Sequence, residues 1–169
     1  MREVGVGTKF LVLAGLILSA TADAGDTPVR ASAQSHDERA DTKAVLTTVD
    51  ALFAAFETGD AAAMLRQVYP DGRVTASGTR GDGASNLRQQ PWTVFAGRIK
   101  PTAAFQERIS DPEIHIDGDI AMLWAPFVVR IGGKVSNCGF DHFDFVRENG
   151  VWKVMNLTFS SRIDGCPEA

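Results

Sequence analysis

The chain has 169 residues, with 17 Lys and Arg against 21 Asp and Glu and a formal net charge of −4. This length favours a single domain, and an apolar share of 44% is ordinary for a globular protein with a proper core. No basic patch stands out along the sequence, so the charge pattern excludes an electrostatic footprint for nucleic acid.

The N-terminal segment has the features of a signal peptide. Arg2 and Lys9 give the start of the chain its positive charges. An apolar run over residues 10–18 follows, and it is too short to span a bilayer. The small-x-small pattern at residues 22–24 fits a cleavage site, so residues 1–24 are predicted to be a signal peptide. An uncleaved membrane anchor is the alternative. Cleavage predicts an exported protein, periplasmic or secreted, without membrane contact.

The two cysteines, Cys138 and Cys166, both lie in the part predicted to be exported. Export usually means an oxidising compartment, where two thiols permit one intramolecular pairing. A disulfide is therefore predicted. Two free thiols or a metal pair are the alternatives, although the spacing matches no zinc or haem pattern.

Helices are predicted first. Residues 25–40 are polar and without period, which indicates a flexible leader, and residues 41–166 are predicted to form the folded domain. Asp41 is a fair N-cap for a helix whose apolar residues recur at helical spacing. These residues are Val45, Val49, Leu52, Phe53 and Phe56. Asp60 is predicted to cap a second helix, and Pro91 to open a third.

Strands are predicted to follow the helices. Residues 73–77 are compatible with a short strand, and residues 78–90 are rich in polar residues and glycine and predict a mobile loop. Four long strands then alternate with turn signals. They are predicted over Ala104–His115, Ile120–Ile131, Lys134–Arg147 and Val151–Arg162. Runs of helices before runs of strands favour an α+β fold with the three helices on one face of an antiparallel sheet.

Two segments carry a family resemblance. The first is the predicted first helix, with Phe-x-x-Phe at 53–56 and Glu-Thr-Gly-Asp at 57–60. The second is the ending over 141–154, where a polar turn is followed by Trp-Lys-aliphatic. Both resemble nuclear transport factor 2-like domains. Gly-Asp-Ile-Ala at 118–121 is similar to the middle hairpin of that superfamily. The likeness covers residues 42–163 and is nearest to exported members described as lumazine-binding-like, in which Cys-Gly precedes the penultimate strand and a Cys follows the last.

The resemblance implies a strongly curved sheet wrapped around the first helix, a cone-shaped α+β barrel with a pocket at its open end. Members of the superfamily use this pocket for isomerases, dehydratases, cyclases and ligand binding, and they often dimerise through the outer face of the sheet. A homodimer of this kind is therefore expected. Because the shared motifs specify a fold and not a chemistry, the site has to be argued separately.

Strand alternation selects candidate pocket residues. On the last strand Asn156 and Thr158 share a face with Trp152 and Val154, and the family pattern turns that face inward. Asn156 and Thr158 are thus predicted ligand-binding residues, with local hydrogen bonding near the rim as the alternative. Two further aromatic candidates for the pocket are Trp92 and Trp124, for which core packing is the alternative.

Two residues are candidate acids or bases. His142 and Asp144 stand at i and i+2, an arrangement that suits acid–base work. Phe143 and Phe145 share the opposite strand face with Asp141 and are predicted to belong to the core, which favours an outward position for His142 and Asp144. A bulge that turns His142 inward is the alternative. Glu107 lies on the long strand that also carries His115. A carboxylate in an apolar cup has a raised pKa and is a candidate general base, whereas an exposed strand Glu is the ordinary alternative.

The sequence therefore predicts an exported protein that binds a small, partly apolar molecule in a pocket. The alternatives are a cofactor-independent isomerase or dehydratase that uses Glu107 or His142, and a non-catalytic structural or interaction module. No nucleotide, serine-hydrolase or zinc-protease motif is present, and histidine is scarce. No metal and no cofactor are assigned, and the ligand is not identified by the sequence.

Overall fold

A computed structural model of the chain describes residues 37–79, 85–100 and 104–167. The predicted signal peptide and the greater part of the predicted leader lie outside the described residues. Within them the chain forms three helices and seven strands. These are α1 Glu38–Thr58, α2 Ala61–Gln67, β1 Val68–Thr79, β2 Ser85–Pro91, α3 Trp92–Ala96, β3 Phe105–Ile109, β4 Glu113–Asp117, β5 Ile120–Ile131, β6 Lys134–Glu148 and β7 Val151–Ser161.

Helix α1 begins earlier than predicted. Its N-cap is Asp37, whose side chain accepts hydrogen bonds from the backbone N–H groups of Arg39 and Ala40 at 3.1 and 3.4 Å. The prediction that Asp41 caps this helix is therefore wrong, and the end of the predicted leader is helical. The predicted apolar face is correct, because all five of its residues are buried. No helix among the described residues has the length and apolar character needed to cross a membrane.

Arg147, on β6, joins the start of α1 to the turn between β4 and β5. Its guanidinium donates to the carboxylate of Asp41 at 2.6 Å, to Asp119 at 2.7 Å and to the carbonyl of Gly118 at 2.8 Å. It also lies over the ring of Trp152, 4.7 Å from the centroid. Since the side chains of Arg147 and Asp41 are only 9% and 12% exposed, this ion pair is shielded from water, and breaking it would be costlier than breaking an exposed pair.

The seven strands form one sheet in the order β2-β1-β7-β6-β5-β3, and β4 also pairs with β5. The fold class is α+β with N-terminal helices, as predicted. The sheet is mixed and not purely antiparallel, because β1 runs parallel to β7 while the other pairs are antiparallel. Its curvature into a cone stays a prediction.

Strand β2 replaces part of the predicted loop over residues 78–90. It pairs antiparallel with β1, from Arg73 opposite Pro91 to Thr79 opposite Ser85. The prediction is wrong over this strand because an edge strand with mostly exposed side chains lacks the apolar alternation by which strands are recognised.

The long strand predicted over Ala104–His115 is two strands. Asp111, with a positive φ of 43°, separates β3 from β4, and both pair with β5. The break changes which face the side chains occupy. Glu107 on β3 is buried, whereas His115 on β4 is exposed, so the two do not share a face.

A β-bulge in β7 reverses the faces of that strand. Val154 stands opposite Phe145 and Asn156 opposite Asp144, which leaves Met155 without a partner on β6. The indole N–H of Trp92 donates to the carbonyl of Met155 at 2.9 Å. Before the bulge Trp152 and Val154 are buried, and after it Leu157 is buried while Asn156 is not.

The inner face of the central strands packs against the helices. Alternate residues of β5 are buried, namely Ala121, Leu123, Ala125, Phe127 and Val129. On β6 the inner face carries Asp141, Phe143 and Phe145, all at most 1% exposed. The prediction that Phe143 and Phe145 belong to the core is therefore confirmed.

Cys138 and Cys166 form a disulfide, with their Cα atoms 5.6 Å apart. Cys138 is buried on β6, and its backbone exchanges two hydrogen bonds with Arg162, N to O at 3.0 Å and O to N at 2.9 Å. The bridge fastens the segment after β7 to the sheet, beside the inward-facing Asn137.

We expect the variant Cys138→Ala/Cys166→Ala to lose about 3–4 kcal/mol of unfolding free energy, because the bridge spans 28 residues and closing a loop of this size reduces the entropy of the unfolded chain. Urea denaturation measures the loss. Reductant should lower the stability of the wild type similarly and leave the double variant unchanged. A wild type whose two thiols alkylate fully when denatured without reductant would contradict the expectation.

Candidate functional site

A cavity of about 290 Å³ lies between the helices and the inner face of the sheet. This volume is just below the range of small-molecule pockets, which begins at about 300 Å³. Its walls are mainly apolar and contain five phenylalanines, each from a different helix or strand. They are Phe56, Phe95, Phe105, Phe127 and Phe159. The polar lining residues are Arg98, Lys100, Glu107 and Asn137.

Glu107 is the acidic residue among the described residues in the wall of this cavity. It lies on β3 opposite Val129 of β5, and only 9% of its surface is exposed. Burial in this apolar setting removes water from the carboxylate and raises the pKa of Glu107 from 4.5 to about 7. The exposed strand Glu that was the alternative in the sequence is thereby excluded. Near neutral pH the side chain is therefore poised between its charged and neutral forms.

Asp141 is a second buried carboxyl group on the inner face. It stands on β6 between Ala125 of β5 and Phe159 of β7 and is 1% exposed. Neither of its carboxyl oxygens has a hydrogen-bond partner among the residues that the structure describes. Burial, and then the charge of Glu107, raise the pKa of Asp141 from 3.8 to about 9.

Together the two groups form a buried carboxyl pair, defined here as Glu107 and Asp141. Burial keeps Asp141 protonated at neutral pH and raises the pKa of Glu107 to about 7. A neutral carboxyl group donates a hydrogen bond, and a carboxylate accepts one or takes a proton. The site can therefore bind a polar group of a ligand or exchange a proton with it.

Asp141 was not identified as a site residue from the sequence, although alternation placed it on the same strand face as Phe143 and Phe145. That placement was the available signal, since a carboxylate in an aromatic strand face must be desolvated. The sequence does not show whether a partner satisfies such a group.

Asn156 and Thr158 do not line the cavity. The bulge at Met155 turns them to the outer face of the sheet, so the predicted inward orientation is wrong. The Nδ2 group of Asn156 donates to Asp144 at 3.2 Å, and Thr158 is exposed. Leu157 and Phe159 occupy the cavity positions instead.

His142 is also outside the cavity, on the outward face that the aromatic pair favoured. Its Nε2 atom lies 3.6 Å from Oδ1 of Asp144. Its ring is 6.0 Å from that of Trp124, which stacks on Phe140 at 5.2 Å. Trp124 is 43% exposed, so the predicted pocket position of Trp124 is corrected too. Neither His142 nor Trp124 is a lining residue of the cavity that contains Glu107.

Trp92, the remaining predicted ligand-binding residue, is fully buried in the core. Its indole nitrogen already donates to Met155, and its ring packs edge-on against Phe95 with centroids 5.9 Å apart. Trp92 therefore packs in the core, which was the alternative interpretation of this residue in the sequence analysis. It positions Phe95, which does line the cavity. Among the described residues no group of three or more His, Cys, Asp or Glu is arranged to hold a metal ion.

Comparison with solved structures gives the fold a class, that of nuclear transport factor 2-like proteins. One such protein of unknown function from Shewanella baltica is 16% identical over 75% of this chain and 97% of its own, with a TM-score of 0.56. Another, described as having a cystatin-like fold, from Novosphingobium aromaticivorans, is 15% identical over 78% of this chain and 87% of its own, with a TM-score of 0.58. The association domain of CaMKII from C. elegans is 14% identical over 73% and 97%, with a TM-score of 0.57.

At these identities the structural likeness establishes the fold alone. The family is established by sequence, because the model of the family described as "Putative lumazine-binding" matches residues 40–160. The chain belongs to this family, which confirms the resemblance recognised in the sequence. Comparison with the curated proteins finds no match.

We expect Asp141→Asn to remove much of the pH dependence of stability. Unfolded Asp ionises near 3.8, whereas in the folded protein Asp141 keeps its proton up to about 9. Between these values the folded state binds more protons, so wild-type stability falls as pH rises. Because the amide does not titrate, the stability of the variant should fall less steeply. The free energy of unfolding of the variant should therefore rise relative to that of the wild type from pH 4 to 9.

Urea denaturation at a series of pH values measures this effect. Asp50→Asn, on the exposed side of α1, is the matched control and should keep the wild-type slope. A wild-type slope that Asp141→Asn leaves unchanged would show that Asp141 ionises normally in the folded protein.

Proposed function

We propose that the protein binds a small, partly apolar molecule in the cavity lined by Glu107. The observation that carries this proposal is an acidic side chain in the wall of an apolar, aromatic cavity. Such sites combine area for a hydrophobic ligand body with few polar groups that orient it. The family description, "Putative lumazine-binding", also supports a small-molecule ligand.

The buried carboxyl pair suggests how the ligand is oriented. A ligand N–H or O–H group that donates to Glu107 would replace some of the hydration that the carboxylate loses on burial. The phenylalanine walls would hold a flat or compact apolar body. Since hydrogen bonds to charged groups are worth about 1.5–3 kcal/mol, Glu107 would supply a considerable part of the affinity.

A second candidate is a cofactor-independent isomerase or dehydratase. A general base works best with a pKa near the operating pH, and that of Glu107 is about 7. The protonated Asp141, whose pKa responds to the charge of Glu107, would stabilise a developing negative charge only if a ligand atom reached it. His142 lies outside the cavity, so on this proposal the proton transfer falls to Glu107.

The third candidate, a structural or interaction module, is supported by the likeness to an association domain. It is the weaker proposal because it calls for a filled interior, and the described residues enclose a cavity of about 290 Å³. A module that only assembles has no use for two desolvated carboxyl groups at its centre, which lower stability at neutral pH.

Export to the periplasm or the outside of the cell is a further part of the proposal. The apolar run near the N-terminus supports it, and so does the disulfide between Cys138 and Cys166, since disulfides persist in oxidising compartments. The intact mass of the protein recovered from its own host tests it, because cleavage would remove residues 1–24.

We also propose a homodimer through the outer face of the sheet. Trp124 and Phe140 stack there while 43% and 36% exposed. Paired exposed aromatic side chains are typical of the anchors at the centres of protein interfaces.

Glu107→Gln should weaken ligand binding by about 10- to 100-fold, because it replaces a charged acceptor by a neutral amide. Native mass spectrometry of protein purified from its own host, expressed from the full coding sequence, measures the fraction that carries a non-covalent adduct. Binding of a donor ligand should strengthen as pH rises through about 7, where Glu107 becomes charged.

Glu113→Gln, on the exposed face of β4, is the matched control and should retain the adduct. Equal occupancy in Glu107→Gln and the wild type would overturn the role of Glu107. Incubating the released compound with ligand-free protein separates the candidates. Conversion that disappears in Glu107→Gln indicates an enzyme, and an unchanged compound indicates a binding protein.

Trp124→Lys should shift the wild-type dimer to a monomer by placing a charge in the interface. Light scattering coupled to size-exclusion chromatography measures the mass. Leu65→Lys on α2, where the native side chain is similarly exposed at 38%, should leave the dimer intact. A monomeric wild type at the highest concentration tested would contradict the proposed homodimer.

A further inference from the structure

A second cavity, of about 200 Å³, adjoins the one that contains Glu107. The two share Phe95, Arg98 and Phe159 as lining residues. The second cavity is lined further by Arg88 and Gln90 of β2. A ligand body held by the phenylalanines can therefore extend past Phe95 into a compartment with a different chemistry.

The chemistry of this second compartment is cationic. Arg88 and Arg98 line it together, and among the residues that the structure describes no acidic side chain lines it. Both arginines are exposed, and neither makes a hydrogen bond or ion pair within the described parts of the chain. A guanidinium pairs with a carboxylate through two parallel hydrogen bonds and stays charged at every physiological pH.

The two compartments differ in charge. Glu107 lies in the wall of the first cavity together with Lys100 and the shared Arg98, whereas the charged residues that the structure describes around the second are the cations Arg88 and Arg98. An acidic group placed beside Glu107 would be repelled, whereas the same group beside Arg88 and Arg98 would be attracted. This polarity defines a single favourable orientation for an acidic ligand.

We propose that the natural ligand is an organic acid with an apolar ring body, bound with its acidic group at Arg88 and Arg98 and its body against the phenylalanines. The proposal rests on the proposed function and deepens it by giving the chemical class of the ligand. Gln90 supplies a neutral hydrogen-bonding group next to the arginines. A donor group at the other end of the ligand would meet Glu107.

Matched acid and amide probes test this proposal. Naphthalene-2-carboxylate and naphthalene-2-carboxamide, together with indole-3-acetate and its amide, have nearly the same shape and differ in charge. Isothermal titration calorimetry on the purified protein, produced from the full coding sequence, gives the Kd for each. We expect each acid to bind at least about tenfold more tightly than its amide, because charge-assisted hydrogen bonds are the stronger ones.

Variants locate the effect. Arg98→Gln should reduce the preference for the acid several-fold, and Arg88→Gln/Arg98→Gln should abolish it. Arg66→Gln, an exposed arginine on α2 that does not line either cavity, should keep it. Glu107→Gln should weaken binding of donor-bearing probes but retain the preference for the acid.

The outcomes separate the two proposals. Acids and amides that bind with equal Kd, or a preference that survives in the double arginine variant, would overturn the acidic-ligand inference and leave the pocket function standing. A protein that binds neither member of any pair would also overturn the acidic-ligand inference, whereas the pocket function is overturned by the absence of an adduct in the native mass spectrum. Thermal unfolding of each variant confirms that the exposed substitutions leave the fold unchanged.

Discussion

The desolvation of Glu107 and Asp141 is the constraint on which the interior of this protein depends. Around them the inner sheet face is apolar, with Ala125 and Phe159 flanking Asp141 and Val129 opposite Glu107. An apolar interior does not hold two neighbouring carboxylates in their charged forms, so Asp141 keeps a proton and Glu107 titrates near neutrality. Two desolvated carboxyl groups lower the free energy of unfolding at neutral pH. Groups that destabilise a small domain in this way are typical of functional sites.

Local irregularities shape the cavity that Glu107 lines. The bulge at Met155 turns Leu157 and Phe159 inward, and the indole of Trp92 satisfies the carbonyl that the bulge frees. The break at Asp111 separates the buried Glu107 from the exposed face of β4. The cavity is therefore a product of departures from regular strands, which are over-represented next to active and binding sites.

Periodicity predicted much of this fold. The bounds of β5 were correct, as were the buried face of α1 and the core positions of Phe143 and Phe145, because these depend on local patterns of apolar residues. The orientation of Asn156 was wrong, since a bulge shifts alternation by one residue and has no clear sequence signal. Strand β2 was missed because its side chains are mostly exposed and show no apolar alternation, so only its backbone pairing with β1 reveals it. Glu107 was named as a candidate, but its partner Asp141 required the tertiary contacts of three strands.

Carbon-13 NMR of the side-chain carboxyl groups across a pH titration tests the central claim most directly, because it reports the protonation of each group. The variants Glu107→Gln and Asp141→Asn assign the two signals. The account predicts that Asp141 remains protonated through neutral pH and ionises near 9, and that Glu107 titrates near 7. If both groups instead ionised near their ordinary values of 3.8 and 4.5, the buried carboxyl pair would be refuted, and with it the site built on it.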